Sequence, residues 1–378
     1  MTPTPDDPAS AATREWDTHL ARQLENKDRA YTFDMDEMPE EGYMARFPAL
    51  AEAIRFLDDH VKVAYYKADA AALAHQKTHR RLAGVAIIGG ALAIVLAIGQ
   101  LALKASHPGS IRSIGLLEGV AVGMALAAVA IGFWAKFDHQ WFIQRHIAER
   151  LRMLKFQALG QATFWSGQRD GWQHWVRRQI ADLQHIADIR TVKAWATGGQ
   201  AEPFEPVPPS CPDDETATAA VAIYYRRKRV DFQAAYFKQQ SEKLEKESAW
   251  LHGLGLPLFF ASNGIVIVHF LTDAIPHHWL DPKATHILEC IGVWALALAA
   301  ILPVLGFAAR AWVGAFERTR SAHQFHAKHQ GLLRSSNDLL RDQASCAATM
   351  HHIAHLEHFL EHEHREWLRL LMDAEWFL

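Results

Sequence analysis

Four long apolar blocks dominate the reading of this 378-residue chain. The first, about Leu82 to Leu103, contains no charged residue. The second, about Ile114 to Ala135, has Glu118 as its only charge. The third runs from about Trp250 to Leu271, and the fourth from about Ile287 to Ala309, with Glu289 near its start. Roughly 20 apolar residues in a helix cross a hydrocarbon core of about 30 Å. A helix also satisfies its own backbone hydrogen bonds there, which an irregular chain does not. Short, mostly polar segments join the first block to the second and the third to the fourth. The expected fold class is therefore an all-α membrane protein, its four transmembrane helices forming two tandem hairpins with long cytoplasmic helical extensions.

Orientation follows from the Lys and Arg residues beside the spans, which favour the cytoplasm. Lys77, Arg80 and Arg81 precede the first span, and Lys136, Arg145, Arg150, Arg152 and Lys155 follow the second. Lys238, Lys243 and Lys246 precede the third, and Arg310, Arg318 and Arg320 follow the fourth. The hairpin loops carry only Lys104 and Arg112, and Lys283. Both tips are expected to point away from the cytoplasm, with both termini inside it. Trp134, Trp250, Trp279 and Trp312 suit interfacial belts. The polar, acidic N-terminus lacks the basic-then-apolar pattern of a cleavable signal.

The halves also resemble each other. Val63-Ala64-Tyr65-Tyr66-Lys67 is echoed by Ala222-Ile223-Tyr224-Tyr225-Arg226, and Leu117-Glu118-Gly119-Val120 by Leu288-Glu289-Cys290-Ile291. This divides the chain into an acidic N-terminal segment (1–45), expected to be partly disordered, a first two-span unit (46–196), a Pro/Gly linker (197–213) and a second two-span unit (214–378). Outside the spans, Ala49–Lys77, Asp138–Gly160, Trp172–Trp195, Thr216–Trp250 and Glu317–Leu378 are expected to be helical, with no alternating strand pattern.

Charge and cysteine content exclude several classes. With 39 basic and 42 acidic residues the net charge is −3, without the basic field of a nucleic-acid binder. Cys211, Cys290 and Cys346 are widely spaced and form no CxxC pair. Neither a disulfide framework nor a zinc site is expected, and a reducing compartment fits. No Walker loop, GxGxxG, GxSxG or plausible triad is present, so neither an enzyme nor a cofactor is expected.

Several residues are candidates for function. Glu118 and Glu289 are carboxylates inside spans, a costly placement that points to a protein or water environment, and rings of them line cation pores. Both also lie near the first turn of their spans, where the interface and the helix dipole accommodate them. Asn263 and Pro257 in the third span and Pro303 in the fourth mark possible bends. Gly84, Gly89 and Gly90, with Gly115, Gly119 and Gly123, permit close helix approach within a hairpin or between subunits. Arg226, Arg227, Lys228 and Arg229 form a basic run suited to lipid or messenger phosphate, or simply to a solvated face. His351, His355, His358 and His362 share one helix face; without HExxH they fit a solvated or interhelical face better than metal, and they titrate near neutrality. Ile353, Leu356, Leu360, Trp367, Leu371 and Ala374 form the neighbouring apolar stripe.

Taken together, Tyr225-Arg226-Arg227-Lys228-Arg229-Val230-Asp231 with Gln233, Tyr236 and Phe237, Glu149-Arg150-Leu151-Arg152, and the ending Arg365-Glu366-Trp367-Leu368 through Ala374-Glu375-Trp376-Phe377 resemble the SLATT family (SMODS and SLOG-associating two-transmembrane effector domain), here as two tandem copies over most of residues 46–378. The first copy departs from the pattern, with Ala68 and Ala70 where the second has Arg227 and Arg229. The resemblance implies an antiphage effector in the bacterial inner membrane. Such a protein oligomerises and permeabilises or depolarises the bilayer when a cytoplasmic sensor protein or nucleotide second messenger signals infection. A constitutive channel or transporter and a non-conducting scaffold are the alternatives. Few ionisable groups at mid-depth count against a transporter.

Overall fold

A computed structural model describes residues 47–106, 111–199, 210–211, 215–273, 282–315, 318–341 and 346–373. The expectations for residues 1–45, most of the linker and Trp279 lie outside them. Within them the protein is all-α, without a β-strand.

Helix α1 (Pro48–Leu57) passes through one π-helical turn (Asp58–Lys62) into α2 (Val63–Ser106). At 1.5 Å per residue, the 44 residues of α2 extend about 66 Å, over twice a hydrocarbon core. Helix α3 (Ile111–Ala135) completes the first hairpin. It ends at Lys136, whose φ of 47° lies in the left-handed region and breaks the helix before α4 (Phe137–Leu159). Short helices follow: α5 (Ala162–Gly167), α6 (Arg169–Gln184) and α7 (Ile189–Ala196). The second half repeats the pattern with α8 (Glu215–Tyr225), a π-helical turn (Arg226–Asp231), α9 (Phe232–Asp273), α10 (Pro282–Ala315), α11 (Arg318–Arg341) and α12 (Cys346–Asp373).

The helix expected over Trp172–Trp195 is two helices. Asp188 explains the break: its carboxylate accepts from the Arg190 amide (2.9 Å), capping α7. The other end of α7 is closed by Gly198, at φ 84°, while the Gly199 amide donates back to the Ala194 carbonyl at 2.7 Å. This left-handed position suits glycine. Gly198→Ala is expected to lower stability by about 1 kcal/mol, measured as a shift in denaturation midpoint.

The chain forms two compact units that cut across the sequence halves. Of the described residues, unit 1 takes those within 47–74, 139–241 and 324–373, and unit 2 those within 75–138 and 242–323. Unit 2 holds the apolar blocks. Four helices are long and apolar enough to cross a membrane, and only 22, 11, 11 and 22% of their most apolar stretches is buried within the protein. Phe133, Phe260, Ile267, Phe270 and Phe307 are exposed, as residues facing lipid are. The protein is thus an all-α membrane protein. Trp134 and Trp250 are also exposed, whereas Trp312 packs over Gly84.

Small side chains set the packing in unit 2. A Cβ on Gly89 would lie 3.1 Å from the Ala121 carbonyl oxygen, so α2 and α3 approach closely there. In α9 and α10, Ser262 donates to the Ala299 carbonyl (2.7 Å), and Gly255 and Gly306 face each other. The Gly115, Gly119, Gly123 stripe is not this contact. Gly119 and Gly123 are exposed and have open space around them, and only Gly115 meets a neighbour, Gln100.

Candidate functional site

Unit 1 encloses a network of buried charge, and α4 is its centre. Its residues 141–159 face helices from both halves of the sequence, so basic side chains that look solvent-directed are almost all interior. Arg150 is 2% exposed, Arg152 6% and Lys155 0%. Such charges persist in an interior only when paired and hydrogen-bonded.

Arg229 and Glu357, from opposite ends of the second half, make the most enclosed pair, each side chain 2% exposed. The guanidinium donates through Nε to Oε1 (2.9 Å) and through an Nη to Oε2 (3.2 Å). This two-pronged geometry is what a planar guanidinium provides and a lysine does not. Tyr225 Oη donates to the same carboxylate (2.8 Å). Phe156 completes the shell, 5.1 Å from the guanidinium carbon and edge-on to Tyr225. Burial and the Glu357 carboxylate push the Tyr225 phenol well above its ordinary range, against Arg229, so it stays a donor.

Two further groups surround α4. Lys155 Nζ donates to Asp58 Oδ1 (3.0 Å) in the first π-helical turn. Burial works against its charge, but Tyr224 and Asp58 outweigh it and hold the ammonium above its ordinary range. Glu149 binds Arg145 and Arg152, and Arg145 also binds Asp69 (2.9 Å). Burial opposes ionisation of Glu149, but Arg145 and Arg152 hold its carboxyl below the usual range. Arg152 also donates to Tyr65 Oη. The matched first tyrosines of the two repeats, Tyr65 and Tyr224, therefore meet basic residues of the same helix, Arg152 and Lys155.

At the far side of this network His146 and His364 share a hydrogen bond (3.2 Å) and stack with their planes 9° apart. Trp195 and Trp367 flank His364. Arg150 and Arg365 lie over Trp195, and Arg150 reaches Glu361 at 3.7 Å. Burial, then the His146 ring, pushes His364 well below its ordinary range, against Glu149. It is neutral at pH 7.

The residues singled out from the sequence are distributed differently from expectation. Arg226 is half-buried and paired with Asp231 (3.2 Å). Arg227, Lys228 and Arg229 are buried, not on a solvated face, because the π-helical turn directs them into unit 1. His351, His355, His358 and His362 do occupy an exposed face. Among the described residues no group of three or more potential ligands is placed to hold a metal. The buried stripe on α12 includes Ile353, Leu356, Leu360 and Leu371 as expected, but Leu368 is buried in place of Trp367, which is half-buried; Ala374 lies outside the described residues.

In unit 2, Glu118 is half-buried and accepts a hydrogen bond from the Gln100 side chain, one helix to the other within the hairpin. Glu289 is exposed. Asn263 is exposed and donates to its own helix at the Phe259 carbonyl (2.8 Å). Pro257 and Pro303 lie within continuous α9 and α10, on exposed surfaces.

One cysteine expectation is overturned. Cys211 and Cys346, 135 residues apart, form a disulfide with Cα atoms 5.8 Å apart; Cys290 is not part of it. The sequence places them far apart, but the fold brings the end of the linker to the start of α12. Glu357, His146 and His364 were not singled out either. A signal was present: Glu357 and His364 are seven residues apart on the apolar stripe of α12, where a polar residue needs an interior partner.

No protein-family model, curated protein or solved structure matches the chain.

Proposed function

We propose that this protein is a SLATT-like membrane effector of a bacterial antiphage system, which assembles into an oligomer and depolarises the inner membrane when a cytoplasmic sensor protein or nucleotide messenger engages unit 1. The observation that carries the reading is the outer surface of the spans. Gly119 and Gly123 on α3 and the Asn263 carboxamide on α9 all lie on exposed, otherwise apolar faces. A lone protomer would present them to lipid, whereas small residues and Asn are what helix–helix contacts in membranes use. Glu118 and Glu289 are the carboxylates available to a cation path in such an assembly. Unit 1 supplies the signal-receiving body. Chain continuity favours coupling, since α2 and α9 each contribute residues to both units.

The test is to express the chain with its genomic neighbours, challenge the cells with phage, and follow a potential-sensitive dye. Depolarisation and early death that require this chain are expected; unchanged potential and equal survival without it overturn the reading. Assembly is tested separately by crosslinking in membranes. Asn263→Leu and Gly123→Leu, both compatible with insertion, are expected to lower the crosslinked fraction about three- to thirtyfold, the range of helix-contact energies in bilayers. An unchanged fraction removes these faces from the contact.

A further inference from the structure

The Cys211–Cys346 bond conflicts with the side of the membrane to which the basic residues assign it. Both cysteines are in unit 1, which is cytoplasmic if the Lys and Arg bias sets the orientation. Disulfides there are transient or sensing rather than permanent. Yet the geometry is built for the bond. The Cα separation of 5.8 Å is in the middle of the disulfide range. Both residues are half-buried, within reach of small reagents. The neighbouring chain is held independently: the Ser210 amide donates to the Gly160 carbonyl (3.0 Å), and Gly160 packs near Ile353 of α12. The end of α4, the end of the linker and the start of α12 thus converge at one point.

We infer that Cys211 and Cys346 form a reversible redox clasp, which fastens the end of the inter-repeat linker to α12 under oxidising stress and releases it when the thiols are reduced. This rests on the cytoplasmic orientation used above. The oxidant is a low-molecular-weight disulfide such as oxidised glutathione. One cysteine thiolate attacks a sulfur of that disulfide, giving a mixed disulfide and releasing one small thiolate. The second cysteine thiolate attacks the protein sulfur of the mixed disulfide and expels the other. Two protein thiols are oxidised to one disulfide, one small disulfide is reduced to two thiols, and the two cysteine protons end on the released thiols.

The experiment uses the full chain in membrane vesicles, with Cys290→Ser so that only the pair remains. Vesicles are equilibrated in reduced and oxidised glutathione mixtures, then denatured and labelled with a mass-tagged maleimide. Two tags per chain in reducing mixtures and none in oxidising ones are expected, with both lost over one transition. Cys211→Ser is expected to leave Cys346 without an intramolecular partner, so that its thiol is retained or carries a glutathione adduct. Independent loss of the two tags, or bonds only between chains, overturns the clasp. So does a bond already complete in chain trapped by acid from unstressed cells. Labelling of Cys346 by an impermeant maleimide in spheroplasts would overturn the orientation, and with it the reversibility, while leaving the pairing itself intact.

Discussion

Arg229→Ala is expected to destabilise unit 1 by about 3–5 kcal/mol, and Glu357→Ala by a similar amount. Each leaves its partner charged in an interior where that partner is 2% exposed, and Glu357→Ala also removes the acceptor of the Tyr225 hydroxyl. The two losses are not additive. Arg229→Met with Glu357→Leu removes both charges, replaces them with apolar volume, and is expected to fall within about 1–2 kcal/mol of the parent. A double-mutant cycle on denaturant unfolding of the detergent-solubilised protein measures the coupling. If either single variant costs under about 1 kcal/mol, the pair is not enclosed as described.

The second large effect is acid sensitivity, arising in two steps. His364 has a folded-state affinity for protons below that of the unfolded chain, so below about pH 6.5 the unfolded state takes up the proton and stability falls as pH drops. Titratable and charged groups facing it are His146, Glu149, Arg145 and Lys328, with Arg150, Arg365 and Glu361 around the same tryptophan. Glu149 acts lower. Its folded carboxyl is depressed, so its contribution is present above the unfolded value of about 4.5 and is lost as pH falls through the folded one. Thermal unfolding midpoints between pH 8 and 2 are expected to decline from about pH 6.5 and again below about pH 4.5. His364→Gln removes the first limb and keeps the second. A decline of the same size in that variant assigns the first limb to another group.

The spans were legible in the sequence because four apolar stretches of about 20 residues suit a bilayer better than a soluble core. The charged interior was not, because a run such as Arg226 to Arg229 reads the same on a solvated helix as in a core. What decides between them is the carboxylate opposite, and Glu357 lies 128 residues from Arg229. The same distance problem hid the disulfide. Glu118 was legible as a costly residue, but its partner Gln100 comes from the facing helix and only packing reveals it. The break at Lys136 carries no glycine or proline to announce it.

The division of the chain into units also fixes an order of events during synthesis. Residues 324–373 complete unit 1, and they follow both hairpins in the chain. Until they arrive, Arg229 lacks Glu357, His146 lacks His364, and the basic face of α4 has no interior to occupy. Both hairpins are available to the insertion machinery well before that point, so membrane insertion precedes closure of the charged core. A chain truncated before residue 346 would therefore be a membrane protein with all four spans and an open, water-filled first unit, a state that proteases and chaperones recognise. Closure of unit 1 therefore waits on α12.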